Sequence, residues 1–427
     1  MVPLWPPAAP DGFAAGLTVQ VPAWYRLPMR TTSSDQRTTL SITCTTHVVQ
    51  DGLSSAILIL LPILAQAFGF TYAQVGILKG LKSISQAALE ISSGWLCERI
   101  GEIRLIIFGL ALSGAGYFLL STAPSAPLVA TCLLVIGAGT ALHHAPSSAL
   151  IAKSRPVTTR GRALGYYNAS GDIGKLGFTG IFSLATGVGF AWHQISLFFG
   201  AGAVLAAISV LVATRSLRLR RHRAAQATPQ GTNPPEITGW GILDWRSFGA
   251  LLAVTSLDTL VQSSVLVFVA FLMLSKGLAL PVATTATVLL LAGGILGKTG
   301  CGFLADRMGV RASFVLIQAL TVFGLVAVVT APVGLAFVLL VPLGAVLQGT
   351  SSITYSFAAG LIDPRRMARG YALIYSAGTF AAAVGPLAIG MIADRFGIEI
   401  AIYAIAFVAT LAVPPIFALQ MAVRQPD

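Results

Sequence analysis

The chain has 427 residues, of which 55% are apolar and only 10% charged, at a mean hydropathy of +0.81. A soluble globular chain carries about 25% charged residues, so this one cannot cover itself with a water-facing surface, which excludes a secreted or cytosolic enzyme. A net charge of +12 on a soluble protein would suggest nucleic acid, but the basic residues here gather beside apolar spans, so membrane topology accounts for them first.

In chain order, residues 1–41 begin Pro-rich and carry Arg26, Arg30 and Arg37 without the continuous apolar core of a cleaved signal peptide. They read as a disordered cytoplasmic tail. From residue 42 apolar stretches recur with short breaks, which predicts spans at 42–67, 72–97, 105–123, 128–152, 163–188 and 192–213. The stretch 214–246 opens on Arg215, Arg218, Arg220, Arg221 and Arg223 and then turns to Pro, Gly, Thr and Asn, as a cytoplasmic linker would. Six more spans are predicted at 247–273, 282–305, 312–330, 333–360, 367–393 and 398–420, with a short tail at 423–427. The expected fold is therefore an all-α membrane protein with twelve transmembrane helices in two pseudo-symmetric six-helix bundles, 42–213 and 247–422.

With the amino terminus inside, the loops on the opposite side hold only Lys276 and Arg395 among the basic residues. That bias places both termini in the cytoplasm, as in a bacterial-type inner (plasma) membrane. Cys44, Cys97, Cys132 and Cys301 lie far apart, so neither a disulfide framework nor a zinc motif follows. The 44 glycines, clustered within spans as at Gly171, Gly174, Gly177 and Gly180, let helices approach closely where lipid gives no hydrophobic drive to packing.

The two halves repeat. The loop after span two reads Gly94-Trp-Leu-Cys-Glu98-Arg99-Ile-Gly101, and the loop after span eight reads Gly302-Phe-Leu-Ala-Asp306-Arg307-Met-Gly309. Asp51 precedes Gly94 by 43 residues and Asp258 precedes Gly302 by 44, so Asp258 reads as the counterpart of Asp51. Arg160-Gly161 before span five matches Arg369-Gly370 before span eleven. Six-helix units in parallel repeat are a transporter signature.

At these residues the chain resembles the major facilitator superfamily, over roughly residues 41–422. The resemblance implies a gating role for Gly94, Glu98, Arg99, Gly101, Gly302, Asp306, Arg307 and Gly309. Glu98 replaces the family's usual Asp, and Glu102 stands where a basic residue is preferred. The Gly-Pro pair that drug antiporters of the family often carry in helix five is here Gly177-Phe178, with Gly385-Pro386 in span eleven instead. Within the superfamily, His47 and Asp51 in span one and a His-Pro-containing span four look most like the fosmidomycin-resistance exporters.

An ionised group at mid-bilayer costs several kcal/mol, on scales running upward from about 2.5, unless it meets a partner or water. Inside the spans lie Asp51, Glu90, Asp172 and Asp258 against Lys79, Lys82, Lys175 and Lys298, with His47, His143 and His144. The formal sum is zero with neutral histidines, so it leaves the sign of a substrate open. Lys79 and Lys82 share a helix face; they either meet an anion in a wet cavity, or Lys79 snorkels outward while Lys82 pairs with a carboxylate. Asp172 and Lys175 either neutralise each other or are split when a substrate anion takes Lys175 and Asp172 takes a proton.

His47 and Asp51, four apart, are placed for proton relay or for a plain inter-helix hydrogen bond, and Asp258 carries the same pair of readings. His143 and His144 point about 100° apart on a helix and cannot chelate one ion together, so no metal site is expected; either one can face the cavity. Glu90 and Lys298 fit inter-helix pairing.

The sequence expectation is a proton-coupled secondary transporter working by alternating access, exporting a small anionic or zwitterionic compound or drug. Its expected partners are that substrate, protons and membrane lipids, with no cofactor and a monomeric state. An organic-anion uptake symporter using the same lysines is the alternative within the class. An intramembrane enzyme using His143 or His144 as base is the alternative outside it.

Overall fold

The computed structural model describes residues 33–155, 157–225, 240–358, 360–363 and 367–419. The described residues form helices throughout: α1 (Ser33–Phe68), α2 (Tyr72–Ile100), α3 (Glu102–Ser121), α4 (Ala126–Ala141), α5 (His144–Ser154), α6 (Val157–Gly187) and α7 (Trp192–Ala225) in the first half. The second half holds α8 (Trp245–Ser275), α9 (Leu280–Met308), α10 (Val310–Thr330), α11 (Val333–Ala358), α12 (Met367–Phe396), α13 (Ile398–Leu411) and α14 (Pro414–Phe417). Twelve spans in two six-helix bundles result, because spans four and twelve each consist of two helices. In lipid a helix satisfies all of its own backbone groups, which is why the chain breaks so seldom.

Both of those breaks follow from proline. Pro146 has no N–H to offer the carbonyl of Leu142, and the chain tightens there, with Leu142 and His143 donating to Gly139 and Thr140 at 3.3 and 3.2 Å. Pro414 and Pro415 end α13 in the same way. At the motif loops, Gly101 (φ +89°) and Gly309 (φ +80°) each end one helix and begin the next. Only glycine adopts such a φ without strain, and each donates its N–H back at 2.9 Å, to Cys97 and Ala305.

Two boundaries differ from the sequence expectation. α1 begins at Ser33, inside the stretch read as a tail, and α7 runs to Ala225 through the arginines read as linker. No glycine or proline interrupts the chain from Thr214 until Pro229, and Arg and Leu are strong helix formers, so α7 continues past its apolar stretch. Residues 1–32, 226–239 and 420–427, to which the rest of the tail, linker and carboxyl-end expectations refer, lie outside the described residues.

Among the described residues, ten segments are long and apolar enough to cross a membrane. The two remaining spans, α2 and α6, carry Lys79, Lys82 and Glu90, and Asp172 and Lys175. Their polar content is the site itself. α1 is the most enclosed span, with 78% of its apolar window buried against 39% for α7, and outward side chains such as Phe198, Leu205, Phe323 and Val338 are exposed. That distribution is an integral membrane protein's, with its polar groups turned inward and its apolar ones toward lipid.

Candidate functional site

The halves meet chiefly along α2 with α12 and α6 with α9, and the buried ionisable groups lie beside those seams. In the first half α1 approaches α6 so closely that a Cβ on Gly171 would stand 2.5 Å from the His47 ring and 2.8 Å from Asp51 Oδ2. Gly171 thus makes room for that pair. His47 stacks on Tyr167 at 3.8 Å between ring centroids, and its Nδ1 lies 2.7 Å from the Tyr167 carbonyl oxygen. A carbonyl only accepts, so Nδ1 carries the proton.

Asp51 is the hub of this region. Its Oδ2 is 3.3 Å from His47 Nε2 and 3.2 Å from Lys175 Nζ, and its Oδ1 is 3.5 Å from His144 Nε2. Lys175 Nζ also reaches Asp172 Oδ1 at 3.2 Å, and Lys298 of α9 donates to the same oxygen at 2.6 Å, joining the halves. Lys298, expected to pair between helices nearer the cytoplasmic end, is thereby part of the central network. His143, expected as one of two candidates to face a ligand, is 0% exposed and stacked 5.6 Å from His47. His144, whose side chain is 29% exposed, is the more accessible member of the pair.

Lys82 is 5% exposed and donates to Ser54 Oγ at 2.6 Å and Gln86 Oε1 at 2.7 Å, both neutral. Lys79 donates to Ser83 Oγ at 2.8 Å. Among the described residues neither ammonium forms an ion pair, while Glu90 accepts from Thr379 across the α2–α12 seam at 3.4 Å. Four lysines and three carboxylates therefore share this central region, and the zero sum read from sequence divides unequally. The remaining carboxylate, Asp258, lies elsewhere.

Asp258 in α8 is 4% exposed and accepts from Thr350 Oγ1 and Gln262 Nε2, each at 2.7 Å, and from Gln318 Nε2 at 3.2 Å. Among the described residues it makes no ion pair. Its structural counterpart is Gln50, not Asp51. Gln50 Nε2 donates to Ser113 Oγ of α3 at 2.8 Å and Thr140 Oγ1 of α4 at 3.1 Å, just as Asp258 engages α10 and α11. Gln50 also precedes Gly94 by 44 residues, the spacing of Asp258 to Gly302. One residue is about 100° of helix rotation, and it turns Asp51 toward α6.

Of the motif residues, Arg307 stands over the Phe303 ring of its own helix at 4.3 Å, and Arg99 is exposed. The surroundings of Gly94, Glu98, Gly302 and Asp306 lie outside the described residues, as does the side chain of Arg160. The contact that closes the opposite end was not anticipated. Asp394 near the end of α12 accepts the backbone N–H groups of Tyr72 and Ala73 at 2.8 and 2.9 Å. A carboxylate on a helix N-terminus is a favourable pairing, and here it fastens one half to the other. Its signal is in the sequence: Ala393-Asp394-Arg395-Phe396-Gly397 repeats Ala305-Asp306-Arg307-Met308-Gly309, down to a positive φ at Gly397.

The sequence signature of the Major Facilitator Superfamily matches residues 43–248 and 251–427. An uncharacterized MFS-type transporter of Bacillus subtilis, YfnC, is 25% identical over 396 residues, 86% of this chain and 89% of its own length. The fosmidomycin resistance protein of Escherichia coli is 24% identical over 190 residues, 44% of this chain and 45% of its own. Among solved structures, a bacterial homolog to the human lysosomal transporter Spinster, inward-facing and unoccupied, superposes with a TM-score of 0.74 at 15% identity, covering 91% of this chain and 97% of that one. The chain belongs to the major facilitator superfamily.

Proposed function

We propose that this transporter is proton-coupled, works by alternating access, and exports a small anionic or zwitterionic compound across a bacterial-type inner membrane with both termini cytoplasmic. One observation carries the coupling. At equivalent nodes the first half uses an amide, Gln50, and the second a carboxylate, Asp258, each held by neutral groups. An amide meets the packing requirement, so the fold does not need a charge at Asp258. A buried carboxylate with no cation beside it is costly as an anion, and a proton neutralises it. Gln318 Oε1 is buried without a donor; rotation of that amide, whose two ends are interchangeable in shape, offers an acceptor to the protonated acid.

The substrate class rests on Lys82 and Lys79, two ammonium groups held only by neutral oxygens next to the seam. An anion or the acidic end of a zwitterion supplies the missing counter-charge. Fosmidomycin, which one relative is named for resisting, serves as the first probe. Orientation rests on the basic loops: on the other side Lys276 is taken up by the carbonyls of Val329 and Ala331 at the end of α10, at 2.7 and 2.8 Å. On that same side Asp394 fastens the two halves together.

The test is transport of labelled fosmidomycin by purified protein in proteoliposomes under an imposed pH gradient of either sign. Export coupling predicts movement against the proton flow, and uptake symport predicts movement with it. Transport that ignores the gradient sinks the coupling. Turnover of a compound in detergent, without a sealed compartment, would instead favour the enzyme reading.

A further inference from the structure

We propose that His47, Asp51 and His144 form a binding site for a divalent transition cation of the Zn2+ class. One donor atom from each of the three residues lies within 4.8 Å of the others; His47 Nε2 stands 3.3 Å from Asp51 Oδ2 and His144 Nε2 3.5 Å from Asp51 Oδ1, so the carboxylate turns one oxygen toward each imidazole. Two imidazoles and one carboxylate are a common ligand set for this metal class, and they leave a fourth position open.

A second observation points at the same place. The bond from His47 Nδ1 to the Tyr167 carbonyl fixes the tautomer, so Nε2 of the neutral ring presents a lone pair. That atom is buried, has no hydrogen-bond partner, and faces the Asp51 carboxylate. A lone pair facing a carboxylate oxygen is relieved by a positive species between them, either a proton or a metal cation. The Nδ1–H donated to a carbonyl is also the orienting bond that metal-bound histidines make. The His144 side chain is 29% exposed, against 5% for His47 and 7% for Asp51, so it is the most accessible member of the trio.

Lys175 is the competitor. Its ammonium neutralises Asp51 from 3.2 Å and has an alternative partner in Asp172 at the same distance, so an arriving cation can displace it without leaving it unpaired. The inference does not depend on the transport reading, since binding is measured on purified chain with no gradient.

The experiment is equilibrium binding of 65Zn2+ to the purified full-length protein, together with the visible spectrum of the Co2+ form. One saturable site per chain and the intense d–d bands of tetrahedral Co2+ are expected. Losing a group that merely orients a ligand already costs roughly 10–100-fold in affinity, so His144→Gln is expected to lose at least the upper end of that. Lys175→Gln should bind several-fold more tightly, a gain that misfolding cannot mimic. His193→Gln, at an exposed histidine stacked on Trp192, should bind as wild type. Absence of saturable binding in both wild type and Lys175→Gln overturns the proposal, as does binding that survives His144→Gln unchanged.

Discussion

α1 and α8 open the two halves, and each sets a polar side chain at the same register against the third and fourth spans of its own half. In α1 that side chain is Gln50 and the ionisable neighbour, Asp51, is rotated into a crowd of lysines and histidines; in α8 it is Asp258 itself, among hydroxyls and amides. The difference separates two jobs that the repeat spacing alone assigns to one residue type. A carboxylate compensated by ammonium groups holds a charged site together, whereas a carboxylate without them has reason to carry a proton.

The sharpest way to break this comparison is Asp258→Asn. If the amide serves at Gln50 it serves here, so stability should stay within about 1 kcal/mol of wild type, the size of one neutral hydrogen bond, while gradient-driven fosmidomycin transport is abolished. A thermal melt and proteoliposome flux measure the two together.

Next comes Lys82→Met. A hydrogen bond to a charged group is worth about 1.5–3 kcal/mol, so probe affinity should fall roughly 10–100-fold with coupling retained, read as a change in half-saturation but not in the dependence on pH gradient. Asp172→Asn should act more mildly. It weakens the Lys298 bridge between α6 and α9 and should lower disulfide cross-linking between Ser183→Cys and Thr284→Cys, whose hydroxyls are 3.1 Å apart. Lys79→Gln should be smallest, within about 1 kcal/mol on probe binding, because Lys79 is half-buried and spans only to Ser83 on its own helix.

Much of this architecture was legible because lipid imposes a coarse rule: each crossing needs about 20 apolar residues, and ten of the twelve crossings meet it outright. The motif glycines were legible too, since a positive φ demands them. The polar site was harder. Asp51 and Asp258 differ by one residue in spacing to their motif glycines, a discrepancy that looks like noise in a repeat and is 100° on a helix. His47 and His144 converge from α1 and α5, nearly a hundred residues apart in the chain, and only the break before Pro146 brings His144 round while burying His143. Asp394 was overlooked because its loop lies outside the duplicated pair, although Ala-Asp-Arg-x-Gly was there to be matched.

The most direct measurement is infrared difference spectroscopy of the purified protein across a pH step, reading the C=O stretch of a protonated carboxyl. The account predicts a band that vanishes in Asp258→Asn and persists in Asp51→Asn. A band that survives Asp258→Asn and disappears with Asp51→Asn would put the proton in the other half and contradict it.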